Sequence, residues 1–195
     1  MYAHQALEFL LSTVEFVVVY PALLRFYLQL FRAPARNPLS AFIISLTDFA
    51  IRPLRRFIPP MQGLDLASLF WAWISECLVL LMFLGVMGAN LFGGPGTLPA
   101  IAFLAIVKLF KFSIYLLIFA TLAQALLSWT TAYHPLMAVL EALCVPFLRP
   151  LRRVVPTLGN VDLSPLVLLV LCQLLLIVPI QALESAAIRL IPFGH

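Results

Sequence analysis

Charge is scarce in this chain. Asp, Glu, Lys and Arg together make up 10% of its 195 residues, against roughly 25% in a typical soluble domain. Eight acids and twelve Lys and Arg side chains, gathered in a few places, cannot supply the polar outer shell that a soluble domain of this length keeps. Cysteine is sparse as well: Cys77, Cys144 and Cys172 are an odd number in apolar surroundings, with no CxxC or Cys/His spacing. That excludes a disulfide framework and reads as buried, inert thiols. The histidines, His4, His134 and His195, stand at termini or at the edges of apolar runs, unlike a buried axial haem ligand. A Ser/His/Asp or Cys/His set, a metal cluster and a glycine-rich phosphate loop are all missing, so no enzyme, cofactor or metal is expected. What the sequence does have is hydrocarbon, with 64% of residues apolar. The bilayer must solvate most of such a surface. The net charge of +4 lies largely in short arginine clusters beside apolar runs, which points to a membrane surface and not to nucleic acid.

Four apolar runs are long enough to span. The first goes from about Gln5 to Phe31 and encloses Glu8, Glu15, Pro21 and Arg25; with no preceding Lys or Arg and no small-residue cleavage site, it is expected to be an uncleaved helix. The second, about Leu66 to Met87, ends in the breaker-rich "GANLFGGPGTLP". The third, placed at about 101–129, has a start that could fall anywhere from Leu98 to Lys108. The fourth runs from Ser164 to about Ile188, with Ser164 and Pro165 in the favoured N-cap and first-turn positions and Pro179 expected to kink it. Between spans one and two, and again between three and four, lie "PLSAFIISLTDFAI" (38–51) and "PLMAVLEALCVPFL" (135–148). Both are too short to cross. Each fits an amphipathic helix in the interface, with a re-entrant hairpin as the competing reading.

The arginine-proline phrase is written twice. "RPLRRFIPP" starts at Arg52 and "RPLRRVVPT" at Arg149, and the offset of 97 persists without gaps: Pro38 falls on Pro135, Pro59 on Pro156, Asp65-Leu66 on Asp162-Leu163, and Leu69 on Leu166. The chain therefore reads as an all-α membrane protein of two parallel repeats, 1–92 and 93–195, each built as span, interfacial helix, RPLRR-type segment and span. Arg32, Arg36, Arg52, Arg55 and Arg56 occupy one connection and Arg149, Arg152 and Arg153 the other. The positive-inside rule then puts both connections in the cytoplasm and both termini outside it.

"RPLRRVVPTLGNVDLSPLVLLVL" resembles the signature of the YggT family of bacterial membrane proteins, whose plastid relatives are called YlmG. The resemblance covers nearly the whole chain as two copies. The first departs from the pattern, with "QGLDLAS" where Gly-Gly-Ile-Asp-Leu-Ser-Pro is wanted, which weakens any claim that both copies do the same job. It implies an integral inner-membrane protein, with relatives connected to osmotic tolerance, to the neighbourhood of cell-division genes and, in plastids, to cytochrome haem attachment.

The arginine motif has two physical readings. Its cations can simply set topology and snorkel to headgroups. Alternatively the prolines limit helix formation and hold Arg52, Arg55, Arg56, Arg149, Arg152 and Arg153 in a fixed fork for phosphate, either an anionic lipid headgroup or a partner's acidic groups. Asp65 and Asp162, ten residues after Arg55 and Arg152, either orient those arginines or cap the spans that follow. Within the membrane, Glu76 corresponds to Gln173 at the same offset; the pair reads as a polar centre for a proton or ion, or as interhelical hydrogen-bond glue. Lys111 corresponds to Val14, which predicts neighbouring spans one and three and a Glu15–Lys111 pair, with Lys108 reaching the interface or Glu8. The plain alternative is that both lysines reach the interface. Together these features favour a protein that organises or assembles membrane partners, in contact with anionic lipid, an unidentified membrane protein and possible further copies of itself, but not with nucleic acid. A small channel or transporter using a polar path through Glu76 is the alternative.

Overall fold

The fold is described from a computed structural model for residues 2–34, 36–61, 63–91, 94, 96–130, 134–155 and 162–192, with side chains from residue 5 onward and not at 129–130. The elements are helices α1 (Tyr2–Val14), α2 (Tyr20–Leu30), α3 (Pro38–Leu54), α4 (Leu66–Val86), α5 (Thr97–Thr130), α6 (Met137–Val154), α7 (Ser164–Leu175) and α8 (Gln181–Arg189). A π-helical segment, Glu15–Val19, joins α1 to α2, and a second, Leu176–Ile180, joins α7 to α8. Among the described residues four helices are long and apolar enough to cross a membrane, at Gln5–Leu30, Leu66–Val86, Thr97–Ser128 and Ser164–Arg189.

Both π segments sit at prolines. Pro21 and Pro179 lack the N–H that would bond four residues back, and the helix widens locally instead of ending. Span four thus passes Pro179 through a π turn. Helix α5 begins at Thr97, earlier than the boundary placed at 101, and its 34 residues extend over roughly 50 Å. It is the central post, packed against α2, α4, α6, α7 and α8. Three buried apolar clusters each take residues from it: one includes Ala100, Ile101, Leu104 and Ala105, the next Leu109 and Phe112, and the last Ala120. Small fully buried residues, Ala22, Ala67, Ala72 and Ala105, let the helices approach closely where lipid provides no hydrophobic drive.

The short segments are single unbroken helices, which rules out a hairpin within 38–54 or 137–154. Asn37 starts α3 by accepting a hydrogen bond from the Leu39 N–H (2.9 Å), while its amide donates to the Pro135 carbonyl and ties the two connections together. Helix α3 buries Ser40, Ile43, Thr47, Ala50 and Ile51, one face at helical spacing. Its other face exposes Phe42 and Phe49, apolar groups suited to the acyl boundary of a membrane interface.

Candidate functional site

Asp65 is the hinge of the first arginine segment. Met61 and Leu64 exchange backbone hydrogen bonds across a tight turn, and Gly63 occupies the left-handed region there at φ 85°, a conformation open to glycine at little cost. The turn brings Asp65 back against Arg55, which donates from Nη2 to Oδ2 (2.5 Å) and from Nε to Oδ1 (3.3 Å). Ser68 donates from Oγ to Oδ2 (2.5 Å), and Asp65 caps α4 through the Ser68 N–H. The two roles that the sequence left as alternatives, orienting the arginine and capping the span, therefore coincide. Burial pushes the Asp65 carboxyl up, but hydrogen bonds from Arg55 and Ser68 and the Arg55 charge outweigh it and hold the group below the usual carboxylate range.

Arg25, to which the sequence reading gave no role, joins the same cluster from α2. Its Nη1 donates to Asp48 Oδ1 and Thr47 Oγ1, both at 2.8 Å, and its Nε stands 3.6 Å from Asp65 Oδ2. A buried arginine in a span demands such partners; that demand was the available signal for Asp48, a lone acid on α3. Between α2 and α3 opens a cavity of about 510 Å³ lined by Arg25, Gln29, Arg32, Arg52, Arg55 and Asp48, among others. Four arginines meet two aspartates here, Asp48 and Asp65, leaving two positive charges in excess. Arg32 and Arg52 make no ion pair among the described residues. Arg32 also has a positive φ of 51°. It stands where helix ends favour glycine, with the Ala33 N–H bonded back to Leu28 O, so an arginine is kept there against roughly 1 kcal/mol of backbone strain.

The second segment is simpler. Arg152 Nε donates to Asp162 Oδ2 (2.8 Å), and Asp162 Oδ1 accepts from the Ser164 N–H (2.9 Å) at the start of α7. Desolvation opposes ionisation, but the Ser164 and Arg152 hydrogen bonds hold Asp162 below the usual range too. At the offset of 97, Arg25, Asp48 and Gln29 correspond to Leu122, Val145 and Leu126, so the inner layer of charge belongs to the first segment only. Arg52, Arg56, Arg149 and Arg153 are exposed. The expectation that proline limits helix here is corrected: Pro53 lies inside α3, and Pro146 and Pro150 inside α6. The last two are one turn apart, and both line an apolar groove of about 460 Å³ walled by α2, α5, α6 and α7. A carbonyl freed by a proline on an open face costs less than one freed in a packed interior.

Deeper in the spans the lysines are not placed as the sequence suggested. Spans one and three are neighbours, tied by Tyr27 donating to Ser113 (2.7 Å). The pairing, however, is Lys108 with Glu15, at 2.6 Å, and Lys108 with Glu76, at 2.8 Å. Lys111 pairs instead with Glu184 of α8, at 2.9 Å. The predicted Glu15–Lys111 pair and the Lys108–Glu8 contact are both overturned. Equal depth does not fix azimuth: three residues turn a helix by about 300°, which aims Lys111 at span four and Lys108 at spans one and two. Glu76 is fully buried, whereas Gln173 is exposed, so the two are not hydrogen-bonded glue. Among the described residues no cluster of His, Cys, Asp and Glu has the arrangement to hold a metal ion.

Comparison with known proteins bears on the whole chain. The CCB3/YggT family profile matches residues 2–87 and 103–183. The protein YggT of Escherichia coli K12 is 33% identical over 187 residues, 95% of each chain. A Pseudomonas aeruginosa protein is 34% identical over 160 residues, 81% of this chain and 80% of its own. A Vibrio alginolyticus protein is 34% identical over 166 residues, 85% and 88%. These three names state no activity, and no solved structure matches the chain.

Proposed function

The chain belongs to the CCB3/YggT family, and from that premise we propose a non-enzymatic, multi-pass protein of the bacterial inner membrane that organises or assembles membrane partners. In this reading both arginine segments face the cytoplasm, where they contact anionic lipid headgroups or acidic groups of a partner. One observation carries it: a cavity with two uncompensated positive charges, one contributed by Arg32 in a strained backbone. Strain kept at a position where glycine is easier is a mark of use, and guanidinium groups suit phosphate. A photo-crosslinker placed at Arg56 or Arg149 in native membranes is expected to capture phospholipid or one defined membrane protein. Capture no greater than from Leu190 at the opposite end would contradict the reading.

The buried charges favour a second reading, a small channel or transporter serving osmotic or ion tolerance through Glu76. Ion flux in liposomes that vanishes in Glu76→Leu would support it. Flux equal to that of empty liposomes would leave the organising role.

A further inference from the structure

Three spans meet at one group of charges that the arginine segments do not explain. Glu15 opens the π segment of span one, Glu76 lies about ten residues, roughly 15 Å, into span two, and Lys108 comes from the central α5. Lys108 Nζ donates to Glu15 Oε1 at 2.6 Å and stands 2.8 Å from Glu76 Oε1. The Glu76 side chain is wholly enclosed, against 17% exposure for that of Glu15 and 21% for that of Lys108. Among the described residues neither Glu76 oxygen makes an aligned hydrogen bond, and the contact with Lys108 is made through Oε1.

Two carboxyl groups and one ammonium cannot be neutral if all three are charged. Among the described residues no further cation pairs with this group. Lys111 is engaged with Glu184 on α8, one turn along α5. Tyr20 lies within electrostatic reach of both glutamates with a hydroxyl group, Cys77 adjoins Glu76, and the Phe112 ring centroid lies 5.5 Å from Lys108 Nζ. An uncompensated charge in such a site is costly, and the group neutralises instead.

We propose that Glu15, Glu76 and Lys108 form a single proton-binding site within the membrane, holding one proton shared between the two carboxyl groups, with Glu76 Oε2, which has no hydrogen bond, as its resting place. The proton adds to a carboxylate oxygen as an O–H bond, no other bond changes, and the charge of the group goes from minus one to zero. An alkali cation fits less well, because it needs several oxygen ligands while Lys108 already fills the space between the carboxyl groups. The proposal is independent of whether any solute crosses.

Infrared spectroscopy of the intact protein in lipid nanodiscs at neutral pH, in light and heavy water, tests it. Wild type should show an isotope-sensitive carbonyl band of a protonated carboxylic acid. Glu15→Gln and Glu76→Gln should each abolish that band, since either leaves one carboxylate matched to Lys108. Lys108→Met should roughly double it, since both carboxyl groups must then be neutral. Native-like near-ultraviolet circular dichroism identifies the folded variants that count, and the two isosteric glutamine variants suffice without the third. Absence of the band in wild type, its survival in both glutamine variants, or its loss in only one would overturn the proposal. So would a wild-type protein lacking the band and binding sodium or potassium ions instead.

Discussion

At the residue scale, the arginine cluster depends on Asp65 more than on any arginine. Its carboxylate serves Arg55, Arg25, Ser68 and the first turn of α4 together. Asp65→Ala leaves a buried guanidinium partly unmatched, and chemical denaturation of the detergent-solubilised protein should show a loss of about 3–5 kcal/mol. Because the folded Asp65 carboxyl lies below its ordinary value of 3.8, its stabilising contribution is complete above about pH 4 and is lost as pH falls through the folded value. A denaturation series should therefore show wild type losing stability below about pH 4, and Asp65→Asn, already weak at neutral pH, losing less. The pairing of Arg55 with Asp65 and of Arg152 with Asp162 was legible in the sequence, because each acid follows its arginine by the same ten residues and precedes a span. The partners of Lys108 and Lys111 were not. A depth register says nothing of azimuth, and Glu184 has no opposite number at offset 97 except Met87.

At the element scale, prolines were the least predictable signals. Pro53 and Pro150 read as helix limits, yet α3 and α6 run through them, and α6 runs through Pro146 as well, since a proline on an open face forfeits one hydrogen bond without leaving a packed polar group behind. Pro21 and Pro179 instead set π segments, which no periodicity of apolar residues reveals in spans that are apolar all round. The end of α2 offers the clearest test of a designed cost. Arg32→Gly should stabilise the protein by about 1 kcal/mol in denaturation, because glycine accepts a positive φ. The same variant should bind a soluble phosphoinositide headgroup analogue more weakly in calorimetry. Loss of stability without loss of binding would mean that Arg32 only packs.

At the scale of the whole molecule, apolar composition and the doubled arginine phrase were enough to read four spanning helices, because a chain with so little charge has no other solvent available. The assembly of those helices around α5 was hidden, since that helix shows no preferred face in sequence. The parallel arrangement of the repeats is open to direct test. In a cysteine-free background, cysteines at Phe57 and Val154 should be labelled from the cytoplasm and one at Leu190 from the opposite side; labelling of Phe57 and Val154 from different sides would mean an inverted arrangement. The proposal that the arginine end works by engaging anionic groups is tested most directly by thermal unfolding in nanodiscs of zwitterionic lipid with and without phosphatidylglycerol. Arg52, Arg56, Arg149 and Arg153 make no ion pair among the described residues, so replacing all four by glutamine spares the fold. Anionic lipid should raise the unfolding temperature of wild type and leave that of the quadruple variant unchanged, and an equal rise in both would contradict the account.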